Sequence, residues 1–180
     1  MIQLPKQLVT RGENKRVVNL YRKAAEGFER EADDAVRNYD SQLYYEDLHD
    51  AWLYFHDAGY AWQCVEEYEK SIFAYTRSIY YAQLVVRQFP DKHKDEYIAY
   101  SMNNLAYSYM MHGDTIKSLQ TIDDAIRNNP GFMEYLDSKG ELLYLCGRYQ
   151  DALTIWDSII CVHPYFERNY WVDSCENRLR

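Results

Sequence analysis

The chain has 180 residues, of which 47% are apolar and 27% are charged, a balance typical of a folded globular protein rather than a disordered one. Its formal charge of −8 argues against general binding to a nucleic-acid backbone, which needs a concentrated basic face. The 7 glycines and 4 prolines are too few for a loop-rich β protein, so the composition favours an all-α fold.

Neither a cleaved signal nor a membrane span is indicated by the sequence. The first residues lack a continuous apolar stretch, and no run of about 18 apolar residues occurs. The cysteines form no Cys-x-x-Cys pair, which argues against metal knuckles and thioredoxin-like chemistry. We therefore expect a cytoplasmic protein in a reducing compartment, with no cofactor, no metal, and no contact with membranes or nucleic acid.

The N-terminal part of the chain differs from the remainder in charge. Residues 1–30 carry seven basic and three acidic side chains, a surplus of +4, whereas the remaining residues sum to −12. Residues 1–12 are predicted to be an extended arm, because Pro5 and Gly12 interrupt them. Two interpretations stay open: the first helix balances an acidic body, or it offers a basic surface to an anionic partner.

Three helical segments are predicted in the first half of the chain. The first begins near Asn14, a good N-cap residue, and its apolar residues recur at three- and four-residue steps as far as Tyr39. The second is expected to end at Gly59. Residues 60–89 contain no glycine or proline and keep one apolar seam, so we predict a single long helix there. A third repeat is the alternative, although Phe73 stands where its turn glycine would be.

The second half of the chain contains one pattern twice, with a shift of 34 residues. Its matched pairs are Gly113 and Gly147, Leu119 and Leu153, Pro130 and Pro164, Ala106 and Gly140, and Ser118 and Ala152. A fixed period of this length, with each unit ending in proline, indicates a helix–turn–helix repeat.

These residues resemble the tetratricopeptide repeat (TPR) family over roughly residues 95–166. The resemblance implies an all-α antiparallel helix–turn–helix solenoid in residues 95–180, preceded by an N-terminal helical region over 1–94 in one continuous domain. Its two repeats would cover 99–132 and 133–166, and a capping helix would cover 165–178.

The predicted helices of the two repeats follow from the same pattern. The first helix of the first repeat is predicted from about Glu96 to Met111, and the first helix of the second repeat ends at Leu145. The second helices end at about Asn128 and Val162. Lys139 and Ile159 depart from the family pattern, in which leucine and alanine are expected.

The resemblance also implies a binding surface, the concave side lined by the first helix of each repeat. The residues predicted to face it are Tyr100, Asn103, Asn104, Tyr107, Met111, Glu134, Asp137, Ser138, Glu141 and Tyr144. In peptide-binding members, an asparagine at the position of Asn104 holds the ligand backbone, a role that suits a side chain able both to donate and to accept.

Three carboxylates of this set, on Glu134, Asp137 and Glu141, stand where chaperone-binding members carry basic residues. They would repel a free carboxylate, so we predict a ligand that carries lysine or arginine. An ordinary solvated helix face is the alternative interpretation. The 19 tyrosines favour a binding surface, since tyrosine is enriched at interfaces.

Two patterns are compatible with an enzyme. Glu46 and His49 form half of a Glu-x-x-His di-iron site, but the chain has no matching second half. Arg87 and His93 fit the loose spacing of HEPN-like helical-bundle ribonucleases, in which histidine is a general base and arginine holds the phosphate. Pro90 interrupts the helix between them.

We predict from these patterns that the chain is not an enzyme but a protein–protein interaction adaptor or chaperone-like binder. Its partner would be another protein or peptide, and a homo-oligomer is possible. The alternative is a structural protein that associates with itself through the seam of residues 61–89.

Overall fold

The computed structural model describes residues 11–39, 45–90, 96–163 and 170–179. Within these ranges every regular element is an α-helix, which confirms the predicted all-α class. The helices are α1 (Arg11–Tyr39), α2 (Tyr45–Cys64), α3 (Tyr68–Gln88), α4 (Glu96–His112), α5 (Thr115–Asn128), α6 (Met133–Leu145), α7 (Tyr149–Val162) and α8 (Tyr170–Leu179). Contacts divide the chain into two compact units, Met1–Lys94 and Asp95–Arg180. No helix of the described ranges is long and apolar enough to cross a membrane.

In the first unit, α2 packs against both α1 and α3. Apolar residues recur every three or four positions along α1, and Ala25 from this stripe is buried with Ala58, Ala61 and Trp62 of α2. The alanines let the two helix backbones approach closely. The indole nitrogen of Trp62 donates to Glu29 Oε1 at 2.8 Å, so this buried donor is satisfied.

The single helix predicted over residues 60–89 is wrong, because the chain turns between α2 and α3. Glu66, in this turn, has a φ of 63°, in the left-handed region that favours glycine. Because a glutamate occupies the position, the sequence carries no glycine to mark the turn. The seam over residues 61–89 therefore belongs to two helices rather than one.

Gly59, the predicted end of the second helix, lies inside α2, which continues to Cys64. A Cβ atom at Gly59 would stand 2.8 Å from the nearest atom of the Tyr75 ring, closer than real contacts allow. The glycine is required by close packing of α2 against α3, and it does not terminate the helix.

The three helix pairs α2–α3, α4–α5 and α6–α7 turn in the same way. Each turn has a residue in the left-handed conformation: Glu66 (φ 63°), Gly113 (φ 97°) and Gly147 (φ 80°). In each turn the next residue donates its backbone N–H to the carbonyl five residues earlier, at 3.0, 2.9 and 2.9 Å. Glu66 and Gly113 are 47 residues apart, whereas Gly113 and Gly147 are 34 residues apart. The turn between α2 and α3 therefore does not follow the 34-residue period of the other two.

Each pair also has a small residue where its two helices approach most closely: Gly59, Ala106 and Gly140. In the first two pairs a serine hydroxyl of the second helix donates to the carbonyl of that residue, Ser71 to Gly59 at 2.8 Å and Ser118 to Ala106 at 2.7 Å. In the third pair a Cβ at Gly140 would stand 2.6 Å from the Trp156 ring. The three pairs are therefore built alike inside as well as at their turns.

In the second unit, α4 packs on α5, α6 packs on α7, and α6 also contacts α4 and α5. Ile122, Leu142 and Trp156 are among its largest fully buried side chains. The ends of α4 to α7 lie within one residue of the predicted ends.

The helix α8 packs on α7 and contacts α6. Its Val172 and Cys175 are fully buried in one cluster with Trp156 and Ile159. The helix corresponds to the predicted cap over 165–178, of which residues 165–169 lie outside the described part of the chain.

Candidate binding face on helices α4 and α6

The residues predicted to face a partner lie on α4 and α6, which contact each other within the second unit. The Tyr107 hydroxyl of α4 donates to Glu141 Oε2 of α6 at 2.5 Å, and the two residues hold the same position in consecutive repeats. Burial and the charge of Glu141 hold the pKa of Tyr107 well above its ordinary value, and Ser138 also hydrogen-bonds this hydroxyl. The structure thus brings together Tyr107, Ser138 and Glu141 of the predicted set.

The three predicted carboxylates do not form one solvent-facing row. Asp137 Oδ1 accepts the indole hydrogen of Trp156, at a nitrogen–oxygen distance of 2.7 Å, and Glu141 accepts the hydroxyl of Tyr107. Both side chains are half-buried, whereas Glu134 is exposed and has no ion pair among the described residues. Two of the three acids therefore hold the helices together, and Glu134 alone of the three faces solvent.

Asn104, predicted to hold a ligand backbone, is only 4% exposed. Its Oδ1 lies 3.5 Å from Nδ2 of Asn103, the other asparagine of the predicted set. The Oδ1 atom of Asn103 is itself buried and has no hydrogen-bond partner among the described residues. A ligand on the surface of the second unit would not reach the amide of Asn104 in this arrangement.

The remaining predicted residues lie nearer the surface. Tyr100 is 44% exposed, and Met111 and Tyr144 are partly exposed. The rings of Tyr144 and Tyr149 stand 5.3 Å apart, so part of Tyr144 belongs to the packing between α6 and α7. Lys139, which departs from the repeat pattern, forms an ion pair with Asp123 of α5 at 2.7 Å.

At the beginning of α4 and α6, the sequence predicted Tyr100 and Glu134 but missed their neighbours Glu96, Phe132 and Tyr135. Phe132, just before α6, is 42% exposed, and its ring lies 4.7 Å from the buried ring of Tyr135. Burial, together with the smaller effects of Glu96, Tyr100 and Glu134, raises the pKa of Tyr135 to about 12. The signal in the sequence is weak: an aromatic pair three residues apart after Pro-Gly, and a Glu-x-x-x-Tyr on one side of α4.

Among the described residues, the side chains of the two enzymatic patterns do not form an assembled site. His49 Nδ1 lies 3.6 Å from its neighbour Asp50, and His56 Nδ1 lies 3.5 Å from its neighbour Asp57. In the described ranges no three His, Cys, Asp or Glu side chains are placed to share a metal ion. Arg87 is exposed near the end of α3, while its predicted companion His93 lies outside the described residues. That the chain is not an enzyme stays a prediction.

No known family model and no curated protein matches the chain. Its likeness to tetratricopeptide repeats therefore depends on the repeated residues and on the shared turn geometry.

Proposed function

We propose that the second unit is a TPR-like module, and that it binds a segment of another protein along the outer side of α4 and α6. The segment carries lysine or arginine, and the chain acts as an interaction adaptor rather than as a catalyst.

The observation that carries this proposal is the hydrogen bond between Tyr107 and Glu141. It joins the same position of two consecutive repeats, on two helices that contact each other. A face formed by two neighbouring helices is a surface on which an extended or helical segment can dock. Tyr100 and Met111 give this face apolar contact area. Residues 95–180 carry 13 acidic and seven basic side chains, and this net negative charge attracts a basic segment.

Affinity capture with the full chain tests the proposal. Tyr100→Ala/Met111→Ala removes two accessible side chains of the face. It spares the buried Asn104 and the partly buried Tyr107, whose truncation would disturb the packing of the unit. The wild-type chain is expected to retain a specific protein from a native lysate, and this variant is expected to lose most of it.

Ile116→Ala/Val162→Ala is the matched control. Both residues belong to the second unit and are more exposed than the pair on the face, at 73% and 72%. Equal loss with both double variants, or retention with both, would show that the face of α4 and α6 is not the binding surface.

Self-association is a second candidate, favoured by one observation on α3. Phe73 and Tyr80, seven residues apart on one side of this helix, are 56% and 53% exposed. Two large aromatic side chains at heptad spacing suit a helix–helix contact between copies. Sedimentation velocity over a range of concentrations is expected to show a dimer that Phe73→Ser/Tyr80→Ser dissociates. A monomer at every concentration would remove this candidate.

A further inference from the structure

We infer that the outer side of α3 binds the α3 helix of a second copy of the chain in the antiparallel direction. The inference rests on the second candidate function, self-association, and deepens it, because it names the direction and the register of the two helices.

The contact surface is one exposed stripe along α3, a helix that packs against α2 in the first unit. Exposed residues recur along the stripe at steps of four, three, four, three and four positions. This is the heptad spacing of helices that pair side by side. The stripe consists of Glu69, Phe73, Thr76, Tyr80, Gln83 and Arg87. From its first to its last residue it is about 27 Å long, at about 1.5 Å per residue.

The two ends of the stripe carry opposite charges. Glu69 lies in the first turn of α3 and Arg87 in its last turn, and neither forms an ion pair with a described residue. Such charges are common at helix ends, where they complement the helix dipole, but here both lie on the stripe that carries exposed aromatic rings. The stripe is therefore acidic at its beginning, aromatic in its middle and basic at its end.

This order of charges favours one direction of pairing. In an antiparallel pair related by a two-fold axis, each Glu69 faces Arg87 of the other copy, so the contact gains an ion pair at both ends. A parallel pair would set glutamate beside glutamate at one end and arginine beside arginine at the other, which is unfavourable.

The middle of the stripe supplies the apolar contact area. Phe73 and Tyr80 are 56% and 53% exposed, and large aromatic rings of this kind are enriched at interfaces. The register that pairs Glu69 with Arg87 also pairs Thr76 with Tyr80 and Phe73 with Gln83, since each of these pairs has the same midpoint along α3. Neither ring then covers a charged group, so the pairing buries no charge without a partner.

Sedimentation velocity on the full chain tests the direction by reversing charges. Glu69→Arg sets arginine opposite arginine twice in the antiparallel pair, and Arg87→Glu sets glutamate opposite glutamate twice. Each single variant is expected to self-associate about tenfold or more weakly than wild type. Glu69→Arg/Arg87→Glu restores opposite charges in the reversed order and is expected to self-associate within about threefold of wild type.

A mixture of the two single variants gives a second readout. One chain then carries arginine at both ends of the stripe and the other carries glutamate at both ends, so a mixed dimer has two ion pairs. The mixture is expected to form dimers at concentrations at which each variant alone is monomeric. Because a mixed dimer requires both chains to be folded, it also shows that the single variants are not merely misfolded. Absence of a mixed dimer would overturn the inference.

Lys23→Glu and Glu31→Arg are the matched controls. Both residues are exposed on α1 and form no ion pair with a described residue, and the two reversals change the net charge by the same amounts. Both controls are expected to self-associate as wild type does. Losses equal to those of Arg87→Glu and Glu69→Arg would show that net charge, and not the pairing of α3, sets the association.

The same measurements separate failure of the antiparallel contact from failure of self-association. A wild-type chain that is monomeric at every concentration would overturn both. A wild-type dimer that Phe73→Ser/Tyr80→Ser dissociates, and that both single charge reversals leave intact, would keep self-association through α3 and overturn the antiparallel register alone.

Discussion

Gly140 is the residue whose replacement the structure constrains most directly. A Cβ there would stand 2.6 Å from the ring of Trp156, which is fully buried and hydrogen-bonded to Asp137, so the ring has little freedom to move. Gly140→Ala is expected to destabilise the chain by roughly 1–3 kcal/mol, the usual cost of overpacking, despite the better helix propensity of alanine. Urea denaturation followed by circular dichroism measures the change.

Gly27 offers the matched control for this substitution. It also lies inside a helix, but a Cβ there would meet nothing within 4 Å. Gly27→Ala should therefore stabilise α1 by up to about 1 kcal/mol through helix propensity. Equal effects of the two substitutions would contradict the close contact between Gly140 and Trp156.

The raised pKa of Tyr135 predicts how the free energy of unfolding changes with pH in the alkaline range. The structure raises its pKa from 10.0 to about 12, so the folded chain keeps a proton that the unfolded chain loses between these values. The corresponding stability is fully present below pH 10 and is lost as pH rises towards 12. The free energy of unfolding should fall less steeply with pH in Tyr135→Phe than in wild type, in denaturation curves between about pH 9 and about pH 11.5. Parallel slopes would show that Tyr135 does not titrate in this way.

At the level of elements, the turn between α2 and α3 is the exception among three like turns. Glu66 takes the left-handed conformation that Gly113 and Gly147 take in the other two. Left-handed conformations cost a residue with a Cβ about 1–2 kcal/mol, whereas glycine adopts them freely but gains entropy when unfolded. Glu66→Gly is therefore expected to stabilise the chain by up to about 1 kcal/mol in thermal or urea denaturation.

The reverse substitution provides the comparison. Gly113→Ala introduces a Cβ at a φ of 97°, with no other atom within 4 Å, and should destabilise by about 1–2 kcal/mol. Stabilisation by Gly113→Ala, or destabilisation by Glu66→Gly, would contradict the shared turn geometry.

The helices α4 to α7 could be predicted from the sequence because Gly113 and Gly147 mark both turns at a constant spacing. The break between α2 and α3 could not, because Glu66 occupies the turn and Gly59, which looked like a helix end, is a packing residue. Local sequence patterns show which residues are able to form a turn. They do not show which residue must be small because a ring from another helix packs against it.

The binding face was predictable only in part, and for a related reason. Periodicity places Asp137 and Glu141 on one side of α6, but the donors that engage them, Trp156 and Tyr107, come from other helices. The exposure of a polar side chain depends on such distant partners. Tyr135 escaped notice because an aromatic residue in a helix is first interpreted as core.

At the scale of the whole molecule, the second unit has buried clusters of its own. The buried clusters of residues 95–180, centred on Ile122 and Trp156, contain only residues of that unit. We expect the fragment 95–180 to fold alone, with a cooperative thermal transition in circular dichroism and a helical signal per residue close to that of the full chain. A fragment without a cooperative transition would show that the second unit depends on residues 1–94.

The bond between Tyr107 and Glu141 also limits how this array can grow. It is a junction of two unlike residues at one repeated position, a donor from the first repeat and an acceptor from the second. Copying the first repeat would set a tyrosine beside a tyrosine, and copying the second would set two half-buried carboxylates beside each other. Gene duplication, the simplest way to lengthen a repeat protein, would thus meet a chemical mismatch at its first step. The two repeats are therefore complementary to each other and are not interchangeable.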